Sequence, residues 1–546
     1  MNDAASRSEG DWIDTLQGLL IAFVVAMVFR GFAMEGFFIP TGSMGPTLKG
    51  QHVRLRGDHT GYAYDADAGP LFEGGSAPNA SVPVLDPMVS RQMPVGTEEL
   101  GLLRRQSVGG DRVLVVKYVP WVFPPQRWDV PVFKNPPDPV GDTQNYIKRL
   151  VGMPGESVVL ADGDVFVAEA GAEADDLRIV RKPEMVQRVV WQSVWRSDWR
   201  PVDVQRLEQQ MKRGWPGPAL KPRPEDRGEW TWTDTRDWRW PHESATRLEL
   251  DARAWPITDW SAYNAWRRVP EYPVSDVRLR GAFEPRDPAA FTASMELRAR
   301  GLLVTAGVRN GEAFATVAPE SGGSRTLASA SARLGNVGKV IDLDVWHVDQ
   351  AVWVFVQGRA VIEMPYELDA DGTSPRERLV ACGVDLERAA NNPMDARSQP
   401  LQSLAWNLGG TPFTVRGLRI DRDLHYQPGI LLPGNQVPSN GPLLNGRAFA
   451  CDAANPAVLG SHEYLLLGDN SPASRDSRYW GRPHPILKSA IGFEAPFVVP
   501  GELLVGHAWC VYFPATYPLG GGLDMRDPSG RSPGIVPNFG SLRFIR

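Results

Sequence analysis

One apolar stretch lies near the start of the chain, at residues 12–29, with Asp14 as its only charge. Its length is near the lower limit of the roughly 17–25 residues that cross a bilayer as a helix. The pattern predicts a transmembrane anchor over residues 12–30, preceded by a disordered N-terminus over residues 1–11. A cleavable signal peptide and a buried soluble helix are the alternatives, and the acidic residues before the stretch disfavour the first of them.

Beyond this stretch, alternation of apolar and polar positions predicts a mainly β protein. Strands are predicted at residues 112–119, 146–151 and 157–167, with a Gly/Pro turn at 152–156. Residues 50–105 are rich in Gly, Asp and Pro, which predicts a loop-rich insertion.

The middle of the chain contains two segments of different composition. A Trp-rich insertion covers residues 168–274, and a segment of alternating apolar and polar positions covers residues 275–424. Eleven tryptophans lie between Trp191 and Trp266, interleaved with Arg and Asp, and such rings usually pack into a core. The alternating segment predicts a β-sandwich that loosely resembles the concanavalin-type, lectin-like jelly rolls. Its predicted strands are 289–297, 301–308, 339–345, 351–356 and 360–364, with a hairpin at 355–361.

Composition narrows the function classes. The net charge of -6 argues against a nucleic-acid-binding protein. The three cysteines, Cys382, Cys451 and Cys510, are widely spaced, so at most one disulfide is possible. Neither CxxC nor HExxH occurs, and no metal or other cofactor is predicted.

Two residues are candidates for nucleophilic chemistry. Ser43 lies in a turn bounded by Pro40 and Pro46, where a serine is ordinarily only a turn residue. A serine hydroxyl needs a base, and a lysine can serve when burial keeps its amine neutral. Lys148 lies in an apolar strand, although its neighbour Arg149 makes a solvated strand position the simpler interpretation from the residues alone.

Four segments together resemble the ordered sequence boxes of the type I signal peptidases, which are membrane-anchored serine–lysine proteases. The resemblance covers roughly residues 12–165 and 425–546, and it implies an antiparallel β catalytic domain formed by residues 31–167 and 425–546, behind one N-terminal transmembrane helix. It leaves the insertion unexplained. The four segments are residues 37–48, 110–115, 145–156 and 468–481.

The resemblance also implies residue roles. Ser43 is expected to be the nucleophile and Lys148 the general base, with Ser474 orienting the lysine amine. Thr41, where a serine is common in the family, is expected to contribute its hydroxyl to the oxyanion hole. Asp476 and Arg478 are expected to form a structural ion pair, and Asp469 and Asn470 to support the turn. The walls of shallow substrate pockets are expected at Ile39, Met44, Leu48, Tyr146 and Ile147.

The implied function is removal of signal peptides after Ala-X-Ala-like sequences. Preproteins, membrane lipid and the secretion machinery are the expected partners, and nucleic acid is not. The implied location is the cytoplasmic membrane, single-pass, with catalysis on the outer face, although Arg30 after the apolar stretch slightly opposes that orientation. Gly45 and His507 depart from the family pattern, which bears on substrate preference.

Three other interpretations of the protein's function are alternatives to a signal peptidase. A membrane-tethered envelope-binding protein with a vestigial protease fold is the main alternative, and the intact Ser43, Lys148 and Ser474 disfavour it. A self-cleaving repressor would need a DNA-binding domain where the apolar stretch lies. A penicillin-binding enzyme would need a lysine three positions after a serine, and the chain has none.

Overall fold

The protein is described from a computed structural model. It describes residues 3–73, 80–89, 95–118, 123–138, 145–173, 176–211, 214–232, 237–267, 271–321, 326–335, 338–367, 375, 378, 401–428, 447–453, 455–514, 516–518, 535–537 and 542–545. The α-helices are α1 (Asp3–Phe32), α2 (Gly69–Glu73), α3 (Leu100–Arg105), α4 (Glu184–Val190), α5 (Val204–Gln210) and α6 (Pro485–Ile491). Short 3₁₀ turns lie at Gly42–Met44, Ser197–Trp199, Pro224–Asp226, Ala262–Asn264, Ser471–Ala473 and Gly501–Leu503.

Helix α1 is longer than the predicted anchor. It begins at Asp3, so residues 3–11, predicted to be disordered, are helical. Leu16, Leu20 and Phe23 are each more than 60% exposed on its surface. Within the described part of the chain, no helix combines the length and apolar character needed to cross a bilayer, in contrast to the anchor predicted over residues 12–30.

The strands fall into three runs along the chain. Before the insertion they are β1 (Met34–Phe38), β2 (His52–Arg56), β3 (Ala63–Asp67), β4 (Ser81–Val84), β5 (Gly96–Glu99), β6 (Ser107–Val108), β7 (Arg112–Lys117), β8 (Pro131–Lys134), β9 (Asn145–Ile147), β10 (Arg149–Gly152), β11 (Glu156–Ala161), β12 (Asp164–Glu169) and β13 (Arg178–Ile179). The insertion contributes β14 (Gln192–Arg196), β15 (Leu220–Pro222), β16 (Thr231–Trp232), β17 (Trp238–Trp240), β18 (Thr246–Leu250), β19 (Val277–Pro285), β20 (Thr292–Ala299), β21 (Leu302–Arg309), β22 (Glu312–Pro319), β23 (Ala328–Arg333), β24 (Ile341–Val348), β25 (Ala351–Val356), β26 (Arg359–Pro365), β27 (Ser403–Gly409) and β28 (Phe413–Arg422). The chain then forms β29 (Ala457–Val458), β30 (Glu463–Leu467), β31 (Val499–Pro500), β32 (Leu504–Phe513), β33 (Thr516–Pro518), β34 (Ile535–Pro537) and β35 (Arg543–Phe544).

Three antiparallel sheets carry the candidate site and its surroundings. The largest has the order β1-β7-β32-β8-β9, with β35 added beside β32. A second sheet has the order β10-β30-β31, and a third has the order β13-β12-β11-β29. Each joins strands from both sides of the insertion, so the segments before and after it fold as one unit.

The segment predicted as a loop-rich insertion, residues 50–105, contains regular structure. Strands β2, β3 and β6 form a small sheet, β4 and β5 form a hairpin, and α2 and α3 lie beside them. Their apolar side chains build a separate core that includes Val53, Leu55, Leu71 and Leu103. These strands are only two to five residues long. Their apolar–polar alternation was therefore too short to stand out among the frequent Gly, Asp and Pro residues.

The insertion forms a β-sandwich of two large sheets. One has the order β16-β17-β28-β19-β24-β25-β26, with β14 also paired to β28, and the other has the order β15-β18-β27-β20-β21-β22-β23. The Trp-rich segment, predicted over residues 168–274, is therefore not separate from the sandwich, because β14 to β18 are divided between the two sheets. Its first strand, β13, instead pairs with β12 in the third sheet, so the sandwich begins after residue 179 and not at residue 168. Tryptophans from it share one buried core with residues from the 275–424 segment, among them Trp195, Trp230, Trp238, Trp240 and Trp255.

The predicted hairpin at residues 355–361 is confirmed. Strands β25 and β26 pair antiparallel across Gln357 and Gly358, whose φ values are 53° and 75°. Two successive positive φ values match the tight hairpin turns whose twist suits paired strands.

A buried ion network joins the sandwich to the third sheet. Asp164, Asp276 and Asp349 bring carboxylate oxygens within 4.8 Å of one another, a spacing that could hold a metal. Protein cations already face these carboxylates, however: Arg300 Nη1 lies 2.6 Å from Asp276, and Lys182 Nζ lies 2.6 Å from Asp349. The network therefore serves as an internal ion-pair junction.

Candidate active site

Ser43 lies in a one-turn 3₁₀ helix, Gly42–Met44, between β1 and β2. The turn closes through Gly45 N–H, which donates to Gly42 O at 2.9 Å. Glycine is required at 42, because a Cβ there would lie 2.8 Å from the Asp67 carboxyl and from the Tyr263 ring. Ser43 itself is half-buried.

Lys148 lies between β9, in the six-stranded sheet that contains β1, and β10, in the β10-β30-β31 sheet. The sequence predicted one strand over residues 146–151, and the structure divides it at Lys148. Ile147, just before the lysine, and Leu150, two residues after it, belong to two different apolar cores. This position buries the lysine side chain, which is only 2% exposed.

The two predicted catalytic residues meet. Lys148 Nζ lies 2.6 Å from Ser43 Oγ and 3.1 Å from Ile147 O. Burial lowers the pKa of Lys148 to about 8, while the Asp476 and Asp469 carboxylates oppose that shift. Part of the lysine population is therefore neutral near physiological pH and can accept the serine proton.

The segment after β30 holds the serine turn in place. Strand β30 pairs with β10, Leu467 opposite Arg149, so the following Gly468–Asp469–Asn470 segment lies beside Lys148. Asn470 N–H donates to Ser43 O at 3.0 Å, and Asn470 Nδ2 donates to Gly42 O at 2.8 Å.

Asp469 forms a buried, two-point ion pair with Arg149. Arg149 Nε and Nη2 each lie 2.7 Å from an Asp469 carboxylate oxygen, and both side chains are fully buried. Because Arg149 directly follows Lys148, this pair fixes the backbone that carries the lysine. Sequence reasoning assigned no role to Arg149, although two adjacent charges in an apolar strand were a signal that at least one needs a buried partner.

Asp476 and Arg478 form a second buried ion pair, with 2.8 Å between Nη2 and Oδ2. Asp476 also accepts from Gly468 N–H at 3.0 Å, and Arg478 donates to Ser471 Oγ at 2.8 Å. The pair thus connects the segment after β30 with the next turn of the chain.

Thr41 and Ser474, the remaining polar residues of the predicted site, differ in exposure and in hydrogen bonding. Thr41 Oγ1 lies 3.5 Å from Ser43 Oγ on the exposed side of the turn. Ser474 Oγ is buried beside Gly468, and within the described chain it has no hydrogen-bond partner. Its expected bond to Lys148 is therefore absent, because the lysine amine is directed to Ser43 and Ile147 O instead.

The five predicted pocket residues are close to the pair but lie in two cores. Four of them share one buried apolar cluster beneath the serine turn, whereas Tyr146 packs with Phe133 and Trp480. The Lys148 amine lies 5.6 Å from the centre of the Tyr146 ring. The four clustered residues are Ile39, Met44, Leu48 and Ile147.

Residues 104–204 match the family model described as "Signal peptidase, peptidase S26". A curated Signal peptidase I of Pseudomonas aeruginosa (strain PAO1) is 32% identical over 139 residues, 25% of this chain and 31% of the relative. Signal peptidase I of Pseudomonas fluorescens is 31% identical over 138 residues, with the same shares. The chain thus spans about a third of the length of these relatives. Residues 104–204 are thus similar to the signal peptidase domain of the peptidase S26 family.

Solved structures similar to the chain include the carbohydrate binding module CBM66 from Bacillus subtilis, with a TM-score of 0.21 and 11% identity. That match covers 35% of this chain and 90% of the module. The galectin LEC-6 of Caenorhabditis elegans has a TM-score of 0.17 and 13% identity, covering 28% of this chain and 84% of the galectin. These scores are too low to support a functional comparison.

Proposed function

We propose that this chain is a membrane-anchored serine endopeptidase that removes signal peptides from exported preproteins, with Ser43 as nucleophile and Lys148 as general base. The observation that carries the proposal is the 2.6 Å distance between Lys148 Nζ and Ser43 Oγ at a lysine with almost no solvent exposure. The matched peptidase S26 domain, which contains Lys148, supports the same reaction class.

The proposed reaction has two halves. Neutral Lys148 accepts the Ser43 hydroxyl proton as Oγ bonds to the scissile carbonyl carbon, and the carbonyl electron pair moves onto oxygen. Ser43 N–H and the Thr41 hydroxyl would stabilise that oxyanion. The protonated lysine then donates to the leaving amine as the C–N bond breaks. In the second half, neutral Lys148 takes a proton from a water molecule as the water oxygen bonds to the acyl carbon. The bond between that carbon and Ser43 Oγ then breaks, Lys148 returns the proton to Oγ, and the carboxylic acid product leaves.

Location at the cytoplasmic membrane, with catalysis on the outer face, is part of the same proposal. The support is helix α1, whose exposed apolar side chains include Leu19, Ile21 and Val25, each above 60% exposure. An exposed apolar surface of this extent is a contact surface for a partner, and lipid fits its composition.

Cleavage specificity tests the proposed substrate class. Detergent-solubilised protein should cleave a preprotein after an Ala-X-Ala sequence, because the family resemblance assigns Ile39, Met44 and Ile147 to shallow pockets that accept small side chains. Replacing the alanine just before the cut with tryptophan should lower kcat/KM by more than about 100-fold, since a packed wall rejects added volume. The cut position is read by mass spectrometry of both products. Equal cleavage of the two preproteins would contradict the proposal.

The pH dependence tests the base. Since the free enzyme must carry neutral Lys148, kcat/KM should rise with pH, reach half its maximum near pH 8, where burial places the pKa of this lysine, and level off at higher pH. Below that value the rate should fall about tenfold per pH unit. Replacing His462 or His507 with alanine should leave the rising limb in place. Loss of the limb in either variant would show that a histidine, not Lys148, is the base.

A further inference from the structure

The sandwich reaches the serine turn through one loop. The loop leaves the sandwich at Ile257 and returns at Val274, where Val274 N–H donates to Ile257 O at 3.1 Å. Its 3₁₀ turn, Ala262–Asn264, packs against β3 and the serine turn. Tyr263 and Asn264 are 2% and 1% exposed, so this contact is a fully buried interface.

Tyr263 contacts the serine turn at three places. Its ring packs so closely on Gly42 and Gly45 that a Cβ at either position would overlap it. Its hydroxyl accepts a hydrogen bond from Gly50 N–H at 3.1 Å. The tyrosine therefore supports both the beginning and the end of the segment that presents Ser43.

Asn264 sets the orientation of Asn470. Asn264 Nδ2 donates to Asn470 Oδ1 at 2.7 Å, and Asn470 Nδ2 donates back to Asn264 Oδ1 at 2.9 Å. The second N–H of the Asn470 amide donates to Gly42 O at 2.8 Å. All the donors of the Asn470 amide are thus used, and its grip on the serine turn depends on a residue of the insertion.

We infer that Tyr263 and Asn264 are positioning residues for Ser43, so that the inserted sandwich is part of the catalytic unit. The inference rests on the proposed function and extends it to a segment more than 200 residues away in sequence. Displacing a nucleophile by about 1 Å can reduce the rate about 100-fold, so two groups that fix the turn affect turnover without touching substrate.

Preprotein cleavage by the full-length protein tests the inference. Asn264→Ala should lower kcat about tenfold or more while KM stays within about twofold, and Tyr263→Phe should lower kcat less because its ring contacts remain. The double variant Asn264→Ala/Asn470→Ala should be no slower than Asn470→Ala, since both changes break one shared link.

Asn407→Ala is the matched control. Asn407 also uses its amide in two side-chain hydrogen bonds, with Glu296 and Arg247, but lies within the sandwich. It should keep wild-type kcat even if its melting temperature falls. An Asn264→Ala enzyme with kcat within twofold of wild type would overturn the inference while leaving the proposed function intact.

Amide hydrogen exchange separates the inference from the proposed function. If the wild type shows no Ser43-dependent cleavage, the proposed function fails, but exchange still decides whether the loop orders the turn. Peptides covering residues 42–50 should exchange faster in Asn264→Ala and Tyr263→Phe, and at the wild-type rate in Asn407→Ala. Unchanged exchange in both loop variants would overturn the inference.

Discussion

Replacing Ser43 or Lys148 with alanine is expected to reduce preprotein cleavage by about four orders of magnitude or more while the protein stays folded. The two groups act as a unit, because Lys148 Nζ lies 2.6 Å from the hydroxyl that it must deprotonate. Removing either one therefore costs nearly as much as removing both. Initial rates of wild type and variants, compared at equal folded protein, measure the effect.

Lys148→Met tests the role of the lysine amine more directly than Lys148→Ala does. Methionine keeps much of the side-chain length at this buried position and removes only the amine, so packing loss cannot explain inactivity. Two exposed-helix variants, Lys488→Met and Ser489→Ala on α6, are the matched controls and should retain full activity. More than a few per cent of wild-type activity in folded Lys148→Met would exclude this lysine as the base.

The sequence predicted that Ser43 and Lys148 meet and that Asp476 and Arg478 form an ion pair, but it did not predict how the lysine is buried. The boxes around Ser43 and Lys148 are local patterns, so the residues themselves could be read from the chain. The division of the predicted strand at Lys148 could not, because it depends on β9 and β10 pairing with β8 and β30, which lie at different distances along the chain. That division is what buries the lysine.

The contribution of the insertion was hidden for a similar reason. Alternation correctly predicted five strands of the sandwich, β20, β21, β24, β25 and β26, but it missed other strands, and the boundary drawn at residues 274–275 followed a change in composition. Pairing of β14 with β28, and of β18 with β27, joins segments separated by more than 150 residues. Nothing in the local pattern around Tyr263 or Asn264 indicated contact with Ser43, since that contact exists only after the sandwich forms.

Ser474 shows where the family resemblance goes further than this geometry. The resemblance assigns its hydroxyl to the lysine amine, whereas the structure leaves Ser474 Oγ buried and unpaired within the described chain. The contact between Ser43 and Lys148 is present without a hydrogen bond from Ser474.

The Asp476–Arg478 pair carries the largest expected effect on stability. Arg478→Met should lower the free energy of unfolding by about 3–5 kcal/mol, because it leaves the fully buried Asp476 carboxylate without its counter-charge. Arg416→Met is the matched control, since Arg416 also pairs with two carboxylates, Asp237 and Glu284, but its side chain is 51% exposed. That variant should lose less than about 1 kcal/mol.

The pH dependence of the Arg478→Met effect identifies its cause. Burial would raise the pKa of Asp476, but the charge and hydrogen bond of Arg478, with the Gly468 N–H and the Lys148 charge, together hold that pKa below its ordinary value. In the wild type the resulting stabilisation is complete above the ordinary carboxyl pKa of about 4 and is lost as the pH falls through the lower folded pKa.

In the Arg478→Met variant burial dominates, so Asp476 takes up a proton at higher pH than in the wild type. Protonation removes the cost of a buried, uncompensated carboxylate, so the variant becomes less destabilised as the solution is acidified. The difference in melting temperature between wild type and variant should therefore be constant near neutral pH and shrink toward about pH 4. A difference that stays constant across that range would mean that lost packing around the arginine, not the uncompensated carboxylate, destabilises the protein.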